Sequence, residues 1–225
     1  MKILFGAALI LSFLFSLSSA QEARLPERLD SLYQIGEYSQ GEQLCRNALE
    51  HILPTDTSLG VILFHKGNFS QELGKFADAE ESYLVAEKVF TSSRDHLYLG
   101  SLLSKLSVLY SEQGRFSDAK NAAQKQFAIY FSNYGKDHRF TANASIVLAL
   151  QLMNSGNTDS SLSLLSEYKQ IIIQNFGEKS KEASRLHEVE GRIAFARKEY
   201  QKAEEYLILA RATAMPLYFF RQNFE

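Results

Sequence analysis

A catalytic or metal centre in this chain would have to be assembled from five histidines, one cysteine and a few acidic pairs. The histidines (His51, His65, His96, His138 and His187) are scattered. No two stand three or four residues apart, the spacing that lets two imidazoles on one helical face share a metal ion. They read as surface or corner residues. Glu80-Glu81 and Glu204-Glu205 read as solvated helix faces. The sequence contains no Gly-x-Ser-x-Gly elbow, no glycine-rich phosphate loop ending in Lys-Ser/Thr and no His-Glu-x-x-His helix. It therefore predicts no catalytic residue, no metal and no cofactor. Cys45 is the only cysteine and cannot close an internal disulfide. It shares an apolar helical face with Leu44, Ala48 and Leu49, which marks it as a small buried hydrophobe; an intermolecular disulfide or a reactive thiol is the alternative.

The chemistry that remains is recognition, and the elements that would position it repeat. Gly36-Glu37-Tyr38, Gly74-Lys75-Phe76, Gly114-Arg115-Phe116, Gly156-Asn157-Thr158 and Lys198-Glu199-Tyr200 are five copies of one turn, at steps of 38, 40, 42 and 42 residues. Such a period marks a stack of repeats that presents a long surface to a partner. Each turn lies between two segments of helical periodicity. After the second, Phe76, Ala79, Tyr83, Ala86, Val89 and Phe90 follow spacings of three and four. Small residues form columns. Ala79, Ala119 and Ala203, with Gly41 and Ser161, stand three past the turn aromatic; Gly67, Ser107, Ala149 and Gly191, with Leu29, stand seven before the turn. Two such columns place paired helices at close range. Seven past the aromatic come Cys45, Tyr83, Ala123, Leu165 and Leu207, the expected knobs for the next repeat. The pattern predicts ten helices, near 25–35, 38–52, 57–73, 76–92, 96–113, 116–133, 138–155, 158–175, 179–197 and 200–214. The fold class is all-α, a solenoid of about five antiparallel helix pairs.

The combination Gly67…Gly74-Lys75-Phe76-Ala77-Asp78-Ala79…Ala86, repeated as Gly191…Glu199-Tyr200-Gln201-Lys202-Ala203…Ala210, resembles the tetratricopeptide repeat. The longer period and the Tyr134-Gly135-Lys136-Asp137-His138 corner, echoed by Phe176-Gly177-Glu178, resemble the variant of kinesin light chains. Copy four departs from the pattern with Thr158 and Ser161, copy five with Lys198, and copy one with Pro26 and Gly41. The resemblance implies a right-handed superhelix whose concave groove, lined by the first helix of each repeat, binds peptides or protein segments. Helical spacing then nominates Phe64 and Asn68, Lys105 and Val108, Ile146, Leu150 and Met153, and Arg185, Arg192 and Phe195 as peptide-binding residues. An apolar strip beside two arginines suits a peptide with apolar anchors and an acidic group. The alternatives are that the superhelix closes over these residues, or that the phase is off by one.

The N-terminus reads as a signal peptide over residues 1–20. Met1-Lys2 precedes an apolar run from Ile3 to Leu17, and Ser18-Ser19-Ala20 forms the cleavage site, leaving a repeat array over 21–214. The run is short of the roughly 20 residues of a spanning helix, so no stable membrane span is expected after cleavage. The expected location is secreted, periplasmic or cell-envelope. With 24 basic and 26 acidic side chains and no basic run, nucleic-acid binding is set aside. The aromatic tail 215–225 reads as a cap over the last helix pair, as a docking or homo-oligomerisation segment, or as the start of a further element. The functional expectation is an exported, non-enzymatic scaffold for a protein or peptide partner. The alternatives are the sensing half of a larger enzyme or signalling system, and a self-assembling envelope subunit.

Overall fold

The computed structural model describes residues 24–51 and 58–222, with side chains described as far as residue 212. The expected leader, 1–20, lies outside the described residues. Ten α-helices follow in order: α1 Leu25–Gln34, α2 Tyr38–Leu49, α3 Ser58–Glu72, α4 Phe76–Ser93, α5 His96–Glu112, α6 Phe116–Tyr134, α7 Arg139–Asn154, α8 Thr158–Phe176, α9 Lys181–Ala196 and α10 Tyr200–Gln222. Consecutive helices pack as the pairs α1–α2, α3–α4, α5–α6, α7–α8 and α9–α10. The fold is the expected all-α repeat stack. The last helix runs eight residues beyond the expected boundary, so the backbone of 215–222 is helical and continuous with α10.

The five turns are one structure. In each, an amide reaches back five residues to a carbonyl: Glu37 to Leu32, Lys75 to Ser70, Arg115 to Tyr110, Asn157 to Leu152 and Glu199 to Ala194, at 2.8–3.0 Å. This closure satisfies a carbonyl orphaned at the helix end and requires a left-handed residue. Gly36, Gly74, Gly114 and Gly156 supply it at φ of 72–82°. Lys198 holds the same conformation at φ 64° despite its side chain. The 42-residue corner also recurs, with Gly135 and Gly177 at φ 85° and 87°.

The chain divides into two compact units, Met1–Ser93 and Arg94–Glu225. In the first, Leu29, Cys45, Ile62 and Phe69 form the core, and a side chain at Gly41 would meet the Phe69 ring at 2.2 Å. In the same unit Gly67 admits the Tyr83 ring, which a Cβ there would approach to 2.4 Å. In the second unit Ile146, Leu165, Tyr168, Ile172, Leu186, Val189 and Ile193 interlock from α7, α8 and α9. Copy four, which lacks the consensus alanine, bonds its helices instead: Ser161 Oγ donates to the Ala149 carbonyl at 2.6 Å. Of the five knob positions, Cys45, Tyr83, Ala123 and Leu165 are buried, whereas Leu207 is 42% exposed.

Candidate functional site

In the second unit the first helices of three repeats, α5, α7 and α9, lie side by side with neighbours in contact. A 42-residue step maps each helix onto the next, so one position repeats as Val108, Leu150 and Arg192, and another as Ser111, Met153 and Phe195. Val108 and Phe195 are exposed, the latter at 64%, while Leu150 and Met153 are half-buried against the core below. Phe195 stacks edge-on with Tyr200, ring centroids 5.7 Å apart.

Polar side chains link these helices. Asn154 Nδ2 donates to Ser111 Oγ at 3.2 Å, and Arg192 Nη2 donates to Asn154 Oδ1 at 3.3 Å. Arg192 also lies 3.9 Å from Glu188. Arg185 Nη1 donates to Asn143 Oδ1 at 3.5 Å. Burial pulls the Arg185 guanidinium below its ordinary range, and Glu182 and Glu188 oppose that pull. A guanidinium in this setting favours an added anionic partner, because a carboxylate restores what desolvation removed.

The sequence-nominated residues separate into two groups. Lys105, Val108, Leu150, Met153, Arg185, Arg192 and Phe195 lie on α5, α7 and α9 with surface exposed in full or in part. Ile146 does not: it is 1% exposed and fills the core between α8 and α9, because a close-packed stack draws the inner edge of each first helix inward. Asn68 is likewise buried, accepting from the Tyr83 hydroxyl at 2.8 Å, and so serves α3–α4 packing. Phe64, beside it, is half-buried against His65 and Tyr83. The expectation of surface histidines also needs correction. His65 is buried, and His187 packs against Tyr206 while bonding Glu190 at 2.9 Å. Asn143, Asn154 and Ser111 were missed as surface residues. Reading down the 42-residue columns pairs Asn143 with Arg185 and would have found the first.

Among the described residues no group of three or more His, Cys, Asp or Glu could hold a metal ion, and no helix is long and apolar enough to cross a membrane. Cys45 is buried, and burial pushes its thiol up to about 12. Asn157, Asp159, Ser160 and Arg197 line a shallow polar cavity of about 360 Å³ between the α7–α8 turn and the end of α9, where Arg197 pairs with Asp159.

No family model matches the sequence, and no curated protein matches it. Solved structures do match. BtubC (BKLC) from P. vanneervenii superposes with a TM-score of 0.72 at 17% identity, covering 94% of this chain and 89% of that one. A kinesin light chain protein of Podosopora anserina with nearly identical TPR-like repeats gives 0.69 at 16% identity, covering 87% and 96%. RapI gives 0.60 at 17% identity, covering 79% of this chain and 49% of RapI. The chain has the fold of tetratricopeptide-like helical repeats.

Proposed function

We propose that this chain is an exported, non-enzymatic scaffold that binds an extended segment of a protein partner on its α5–α7–α9 face. One observation carries the reading: Val108 and Phe195 stand exposed on the neighbouring first helices α5 and α9, beside the half-buried Leu150 and Met153 of α7. Exposed apolar groups that cost solubility without helping packing are the usual mark of a contact surface. Arg185 and Arg192 on the same face give the partner segment its charge, an acidic side chain next to apolar anchors. The tetratricopeptide-like fold supports a protein-interaction role, and the 1–20 leader supports export.

Selection of peptides from a displayed library on the purified protein, followed by calorimetry, tests this reading. Selected peptides should carry apolar anchors and Asp or Glu. Phe195→Ser and Arg192→Glu should each weaken binding about tenfold or more, with the circular dichroism spectrum unchanged. Equal binding by wild type and both variants sinks the assignment of the face. Export is checked by sequencing the N-terminus of the native protein, which should begin at Gln21.

A further inference from the structure

The outer face of α10 departs from the pattern of α2, α6 and α8. Eight and nine residues past the turn aromatic, the chain carries Arg46-Asn47 on α2, Gln124-Lys125 on α6 and Ser166-Glu167 on α8, all exposed. These positions stay exposed although a further repeat follows each of those helices, so continuing the stack does not cover them. On α10 they are Ile208 and Leu209, 60% and 48% exposed, and they adjoin Leu207 at 42%. A next repeat would cover Leu207 and leave Ile208 and Leu209 in water. The helix itself continues to Gln222, so residues 213–222 lead away along its axis and do not fold back over this face.

The charges flanking the patch say what fits it. Three residues before Ile208 stands Glu205 and three after it stands Arg211, both exposed. A second copy of α10 laid antiparallel across the first, with a two-fold axis at Ile208, sets Ile208 on Ile208 and Glu205 of each copy beside Arg211 of the other. Such an isologous contact requires a surface complementary to itself, and this one is. On α4, Leu84 and Val85 are apolar and exposed at the same repeat positions. A two-fold axis at Leu84 would oppose Glu81 to Glu87, two like charges, so that helix is not self-complementary. Helix lengths agree with the pairing. At about 1.5 Å per residue, α10 outreaches α9 by roughly 10 Å. The antiparallel arrangement sets that overhang, Met215-Pro216-Leu217-Tyr218-Phe219-Phe220 in sequence, level with Tyr200 of the second copy, which is 61% exposed. The geometry points to a homodimer formed by antiparallel pairing of α10 across a two-fold axis at Ile208.

Sedimentation velocity on the natively processed protein over a dilution series tests this directly. The expected result is a reversible monomer–dimer equilibrium. Ile208→Asp should abolish it. Glu205→Arg and Arg211→Glu should each weaken it about tenfold or more, because each opposes like charges twice across the axis. Mixing those two variants in equal amounts should restore a dimer, now a heterodimer with both charge pairs regained. All three residues are exposed, and matching melting curves confirm that the variants fold. A wild type that is monomeric throughout overturns the proposal, as does a dimer indifferent to Ile208→Asp, or one whose charge variants are not rescued by mixing.

Discussion

At the scale of the residue, most energetics in this protein concern where a side chain can be absent. Gly67 and Gly41 exist so that Tyr83 and Phe69 can lie flat on the facing helix. Gly67→Leu should therefore unfold the α3–α4 pair or cost about 3 kcal/mol by forcing the ring aside, measurable as a fall in the denaturant midpoint at constant slope. The converse case is Lys198, a side chain where its counterparts have none. Its φ of 64° is the left-handed conformation that Gly36, Gly74, Gly114 and Gly156 adopt without steric cost. Lys198→Gly should raise stability by up to about 1 kcal/mol, less whatever backbone freedom glycine adds to the unfolded chain. A neutral or lower melting temperature would mean that the unfolded-state entropy dominates. How these residues read in the sequence differs. The Gly-x-aromatic spacing made every turn legible, because the left-handed requirement is local. It did not reveal that Lys198 keeps the glycine conformation, since that depends on the surrounding turn holding it.

At the scale of the element, the α8–α9–α10 contact contains a buried charge where the two preceding copies carry leucine. Glu190 is 6% exposed and occupies the column of Leu106 and Leu148. Burial pushes its carboxyl up, but hydrogen bonds from His187 and Lys169 outweigh that effect and leave it below the ordinary carboxylate range. Lys169 Nζ reaches both oxygens, at 2.9 and 3.2 Å. A carboxyl whose folded value is depressed contributes stability that is complete above its unfolded value. That contribution is lost as pH falls through the folded value. The Glu190 contribution should thus hold at neutral pH and fade below about pH 4.3. Lys169→Met should cost about 1–3 kcal/mol, because it strands a buried carboxylate with His187 alone. The double variant Lys169→Met/Glu190→Leu should recover most of that loss and flatten the acid limb of the melting curve. An acid limb unchanged in the double variant would remove Glu190 from the account. Helix positions were legible here because apolar spacing repeats, and the charged pair was not, because its partner lies 21 residues away on another helix.

At the scale of the whole molecule, the chain is two compact units, each with its own core. The second unit contains three complete helix pairs, enough for neighbours to bury a continuous interior. A fragment of residues 94–225 should keep a helical circular dichroism spectrum and melt cooperatively; a spectrum of unfolded chain would show that its core is insufficient alone. The sequence by itself determined the all-α class, the five pairs, the turn positions and nearly every helix boundary. Each follows from a period or a backbone preference acting over a few residues. Only the tertiary structure decided which first-helix residues face solvent. Spacing located the face of α7 to within one position, but the depth to which neighbouring helices sink decides burial. Ile146 passed into the core while Leu150 and Met153 stayed at its edge. The same holds for α10. Its apolar run was visible in sequence, but only the exposure of Ile208, set against the exposed polar residues at the same position of α2, α6 and α8, distinguishes an interaction surface from a core, because burial is a property of what packs above a residue rather than of the residue itself.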